Sequence, residues 1–278
     1  MTNDSVTTAE RREVPRRFWV ALVAIVVYVL MAAGVGNLFS ALVDGEHHPV
    51  ADWLVGTLVP VPILIIAGVW FARRSGWWQD IWREPSVAIG RPRRWWWLAA
   101  PVLSLIATTI LFASVPWSGV RVSVIVVVLI GSLCVGVGEE LFFRGILVTA
   151  LRAHHSEFVV LIVSSVLFGL AHVMGEVIAG LPLGTILFQV AFLSMNGALF
   201  YAARRATGRL SVPMLLHGLS DAALFLQTAG RSDEAPDTPA TGMIELALIA
   251  LSVAVAISVL RETVRTRRAR RGAALATR

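Results

Sequence analysis

Lysine is missing altogether from this 278-residue chain, and charge of any kind is scarce. Asp, Glu and Arg make up 15% of the residues, where a soluble globular chain carries about 25% charged residues. All 24 basic residues are Arg. A single cysteine, Cys134, excludes an internal disulfide, and its apolar neighbours place it in packing rather than chemistry. No internal repeat is visible. The remainder is apolar: 56% of residues are hydrophobic and the mean hydropathy is +0.74. This composition excludes a disordered chain, a collagen-like chain and a soluble nucleic-acid binder. It implies an integral membrane protein, all-α and polytopic.

A helix needs about 20 residues to cross roughly 30 Å of hydrocarbon. Eight runs meet that need, at about 18–43, 51–72, 95–115, 122–143, 157–174, 183–203, 211–229 and 243–260. The first follows Arg11, Arg12, Arg16 and Arg17, as a signal peptide would. Its apolar core is too long for one and no small-residue cleavage site stands out, so it reads as a span. Arginine placement then orients the spans. With the N-terminus in the cytoplasm and Arg144 set aside as part of a helix, 21 of the 24 Arg fall on that side, before residue 18, in 73–94, 144–156 and 204–209, and from Arg261 onward. The opposite loops hold Arg121 and Arg231, and otherwise Asp44, Glu46, Asp233, Glu234 and Asp237. This is the positive-inside pattern, and it places both termini in the cytoplasm of a multi-pass protein of the plasma membrane.

The expected organisation is a cytoplasmic tail over 1–17, one transmembrane domain over 18–260 with a core near 122–225, and a basic tail over 261–278. The tail sequence RTRRARR reads as juxtamembrane charge facing anionic lipid, with the bilayer as partner and no nucleic acid. Trp77, Trp78, Trp82, Trp95, Trp96 and Trp97 read as an interfacial belt with a short helix lying on the membrane.

Charges inside a span cost about 2.5–3.5 kcal/mol each on insertion scales, so few persist without purpose. Here they fall in three spans. The fourth carries Glu139, Glu140 and Arg144, the fifth His172, and the seventh His217 and Asp221. Glu140 and Arg144 are four apart and share a helix face, whereas Glu139 points about 100° away. The turn near His154–Ser156 lies midway between 139 and 172, which puts Glu139 and His172 at one depth. His217 and Asp221 also share a face, and His217 lies roughly 13 Å along its helix from the turn near Gly208. A carboxylate and two imidazoles thus meet in a cavity expected to open to the cytoplasm. Such a set can hold Zn²⁺ through Glu139, His172 and His217, or work without metal, with a buried Glu assisted by His deprotonating water. Either way the chemistry is hydrolysis of a carbonyl, with His217 and residue 221 steadying the oxyanion. HExxH, GxGD and a rhomboid-type GxSG are all missing. A proton-coupled transporter would also use intramembrane Glu, His and Asp, but no pair of Gly/Pro-broken helices recurs in corresponding halves.

EELFFRG at 139–145 matches an EExxxR motif, FGLAH at 168–172 matches FxxxH through Phe168 and His172, and HGLSD at 217–221 is similar to HxxxN/D. In order, spacing and placement they resemble the CPBP family, the type II CAAX prenyl endopeptidases and bacterial abortive-infection or bacteriocin-immunity membrane proteins. The resemblance implies an eight-helix intramembrane protease acting on a peptide or protein substrate. In it Glu139 and His172 activate water, while His217 and residue 221 stabilise the oxyanion, with Glu140 and Arg144 in support. It is compatible with a metal-dependent or a glutamate-dependent enzyme, and with a non-proteolytic scaffold or self-immunity protein of the same fold. Residue 221 departs from the Asn pattern in being Asp.

Overall fold

The computed structural model describes residues 14–43, 45, 47–90, 93–229 and 239–276. Arg11, Arg12, Asp44, Glu46, Arg231, Asp233, Glu234 and Asp237, which entered the orientation argument, lie outside the described residues. Within them the chain is all-helical, with no strand and one isolated bridge between Arg83 and Arg209.

Seven described helices are long and apolar enough to cross a membrane. They are α1 (Phe18–Ser40), α2 (Pro49–Arg74), α3 (Trp95–Ala113), α4 (Val122–Arg152), α5 (Glu157–Ile178), α6 (Leu183–Thr207) and, within the longer helix α8 (Pro239–Ala276), the segment Met243–Leu275. The eighth expected span forms as α7 (Ser211–Ala229) but is less apolar, because it carries Pro213, His217, Asp221 and Gln227. It still runs from one end of the bundle to the other. Leu210 N–H donates to Trp82 O at its start, and Gln227 Nε2 donates to Ser114 Oγ near its finish. Polar groups that lower its hydropathy face neighbouring helices rather than lipid: His217 is 4% exposed.

The Arg-bearing segments gather at one end. Trp77 Nε1 donates to Val14 O at 2.9 Å, Glu84 N–H to Gly208 O at 3.0 Å, and Arg94 pairs with Glu262 at 2.6 Å. Arg152, Arg204 and Arg205 converge on Glu84, so residues 83–90 and 93–97 are tied across the ends of α4, α5 and α6. Gly208 makes the turn possible. Its φ of 73° suits glycine, and a Cβ there would strike Glu84 O. The tryptophan belt is only partly as expected. The short helix Trp78–Trp82 is present and Trp95 is 71% exposed, but Trp77 and Trp97 are 1% and 0% exposed. They pack inward because this segment caps the bundle instead of floating at the headgroups.

Inside, α4 packs most closely on α7, and α5 on α6. The α4–α7 crossing depends on glycine. A Cβ at Gly136 would lie 2.6 Å from Met214 O, and one at Gly218 would lie 2.8 Å from Leu133 Cα. Small residues let backbones approach in this way where lipid supplies no hydrophobic drive.

Candidate active site

That crossing sets the site, since Glu140 stands one turn beyond Gly136 and His217 adjoins Gly218. His217 Nδ1 lies 3.1 Å from Glu140 Oε1, and the same oxygen accepts from Arg144 Nη1 at 2.7 Å. Glu140 and Arg144 are both fully buried. A buried ion pair needs further partners to offset desolvation. Arg144 finds them in Gly197 O at 3.0 Å and the ring of Phe168, 4.1 Å from its guanidinium carbon. Phe168 also meets His172 and His217 edge-on, at 5.1 and 5.6 Å between centroids, and Phe200 stacks on His217 at 4.7 Å.

Glu139 leaves this cluster, as its 100° offset requires. Its Oε2 lies 3.9 Å from Nε2 of His172 and 3.9 Å from Nε2 of His217. That Oε2 is buried without a hydrogen-bond partner in the protein. His172 Nδ1 bonds Phe168 O at 2.9 Å; a carbonyl only accepts, so Nδ1 carries the proton and Nε2 faces Glu139. Asp221 Oδ2 lies 3.3 Å from His217 Nε2. All seven residues singled out in the three motifs therefore come together, across three helices.

Five participants were missed. Gly197 O and Phe200 on α6 hold Arg144 and His217; the only hint was glycine within an apolar helix. Asn196 lines a cavity beside His172 and His217. Tyr28 on α1 is 3% exposed, and its hydroxyl has no partner in the protein. It lines a second cavity with Glu139 and His172. A lone phenol in an otherwise apolar span was the available signal. Glu176 escaped notice because α5 runs on to Ile178; it is 7% exposed with neither carboxylate oxygen partnered.

The two cavities measure about 250 Å³, with Phe168, His172, Phe200, His217 and Asp221 in its wall, and about 190 Å³, with Tyr28, Glu139 and His172. His172 borders both. As for zinc, no group of three or more His, Cys, Asp or Glu among the described residues is arranged to hold a metal ion. Glu139, His172 and His217 come close to one another without being arranged as such a ligand set.

Fold and site together define a multi-pass helical membrane protein with a carboxylate–imidazole centre buried in its bundle. Residues 121–223, the segment holding all three motifs, match the family model described as type II CAAX prenyl endopeptidase Rce1-like. That segment, which spans α4 through most of α7, is what the chain shares with this family. No curated protein and no solved structure matches the chain.

Proposed function

We propose that the chain is an intramembrane endopeptidase that hydrolyses a peptide bond of a membrane-presented protein or peptide, in the plasma membrane. The observation carrying this reading is the approach of Glu139 Oε2 to Nε2 of His172 and His217, each at 3.9 Å. The carboxylate and the His172 lone pair are both acceptors, and their spacing suits two acceptors sharing the hydrogens of one water. Glu139 takes a proton as the water oxygen bonds to the carbonyl carbon. The tetrahedral species then expels the amine, which leaves with a proton, giving a carboxylic acid and an amine.

The second proton comes from the other side of the site. His217 Nδ1–H donates to Glu140, so Nε2 and Asp221 Oδ2 share a proton across 3.3 Å. That proton serves the leaving amine. Sharing it also answers the charge problem at residue 221, because an ionised Asp beside an oxyanion would oppose it. The Tyr28 hydroxyl is a neutral donor for the oxyanion from the Glu139 side.

The reading is tested on protein reconstituted in liposomes and offered a library of membrane-anchored peptides. Glu139→Gln should lower cleavage by about 10²–10⁴-fold, the usual contribution of a general base. Cleavage that persists unchanged would remove Glu139 from the reaction and leave the chain a non-proteolytic member of the fold. Metal analysis of the same sample checks the metal-free reading, and stoichiometric zinc would overturn it.

A further inference from the structure

The two cavities run the same way from the site, and it is away from the arginines. On α8, Glu262 marks the Arg-bearing end by its pair with Arg94, while the cavity-lining residues of that helix are Ile244, Glu245 and Leu248. Glu245 is about 25 Å of helix from Glu262. On α3 the lining begins at Ser104 and reaches Leu111, in the half remote from Trp95. The smaller cavity obeys the same rule, with Gly56 and Thr57 near the start of α2, and Gly175 near the end of α5. Toward the arginines the bundle is closed. Trp97, Ile146, Leu147, Tyr201, Arg204, Val255 and Val259 are all 0% exposed there.

We infer that the site is served from the extracytoplasmic side, and that the substrate is an exported peptide or the outward-facing part of a membrane-anchored one. The arginines assign the closed end to the cytoplasm, since 21 of 24 lie at its segments and moving them across a bilayer is what the positive-inside bias opposes. A peptide arriving from the cytoplasm meets the ion-paired cap of residues 83–90 and 93–97 and the packed layer beneath it. From the other face, Glu245 and Ser104 line a route to His172 and His217. The expected cytoplasmic opening is thereby reversed. The substrate class rests on the endopeptidase reading, whereas the side of access rests on the geometry and the arginine distribution.

The single native cysteine makes the test direct. In a Cys134→Ser background, Ser104→Cys, Ser220→Cys and Glu245→Cys report the cavity, and Ala269→Cys reports the Arg-bearing tail. Each is treated with a membrane-impermeant cationic methanethiosulfonate, in spheroplasts and in inverted vesicles. The cavity positions should react in spheroplasts, and Ala269→Cys in inverted vesicles alone. Reaction of the cavity positions from the Ala269 side, or from neither side, overturns the inference. A second measurement addresses the substrate. One peptide library is anchored by a single span with its variable segment outside, and another with it inside. Cleavage dependent on Glu139 should be confined to the outside set, and cutting of the inside set overturns the substrate class. If neither set is cut, the endopeptidase reading fails and the substrate class with it, while the labelling result still decides the side of access.

Discussion

Two adjacent glutamates illustrate how completely one helical step can separate chemistry from structure. Glu140 Oε1 serves Arg144 and His217 at once, inside a fully buried cluster. Glu139 Oε2 serves nothing in the protein and faces a cavity. The same substitution should therefore give opposite results at the two positions. Glu140→Gln leaves a buried guanidinium without its counter-charge and should cost about 3–5 kcal/mol, read as a lowered thermal midpoint in detergent. Glu139→Gln should leave that midpoint in place and remove only cleavage. Tyr28→Phe separates packing from donation in the same way. The ring keeps its contact with Phe142, 4.7 Å away, and loses only a hydroxyl that has no partner in the protein. Turnover should fall by about 10²–10³-fold if the phenol meets the oxyanion, with KM and the thermal midpoint unchanged. Unchanged turnover would leave Tyr28 a packing residue.

The helices explain why these residues were unequally legible. Scarcity of charge made Glu139, Glu140, Arg144, His172, His217 and Asp221 stand out, and helical spacing alone predicted that the pairs four apart would share faces. The Glu140–His217 contact was not legible, because it depends on how closely α4 and α7 approach. That distance is set by Gly136 and Gly218, residues that carry no functional group. Nor does hydropathy register where a helix widens. Residues 30–35, 54–58 and 141–147 are wound as π-helix, and each stretch contributes to the wall of the smaller cavity. Such turns are frequent at functional sites because they reorient side chains without ending the helix. Gly218→Val tests the crossing. Its side chain would enter the space held by Leu133 Cα and Ser132 O, 2.8 and 2.9 Å from an added Cβ. Overpacking of this sort costs about 1–3 kcal/mol, and here it should also part His217 from Glu140. Cleavage should be lost together with stability, whereas Gly272→Ala, which meets nothing within 4 Å, should change neither.

At the scale of the whole molecule, composition identified a membrane bundle and arginine placement separated its two ends, but neither indicated which end is shut. Closure depends on long-range pairs: Glu84 with Arg152, Arg204 and Arg205, and Glu157 with Arg152, Arg205 and Tyr201. Their members come from segments far apart in sequence, where no periodicity links them. The same network draws Trp77 and Trp97 inward, which is why an aromatic run that reads as a belt proves to be partly core. Glu84 is its hub, with a side chain 8% exposed among three guanidinium groups. Removing that carboxylate leaves like charges facing one another in a poorly solvated layer, beneath a cap otherwise held by Glu84 N–H on Gly208 O, Ser86 Oγ on Ala206 O and the Arg94–Glu262 pair. Glu84→Ala should therefore speed amide hydrogen exchange at Val87, whose N–H donates to Arg205 O, and at Arg94, whose N–H donates to Val87 O. Exchange across residues 214–221 should be unaffected, because those amides are held in α7 and the α4–α7 crossing does not involve the cap. If exchange rises in both regions together, the cap and the site open as one unit and the closed end is not independent of the α4–α7 crossing.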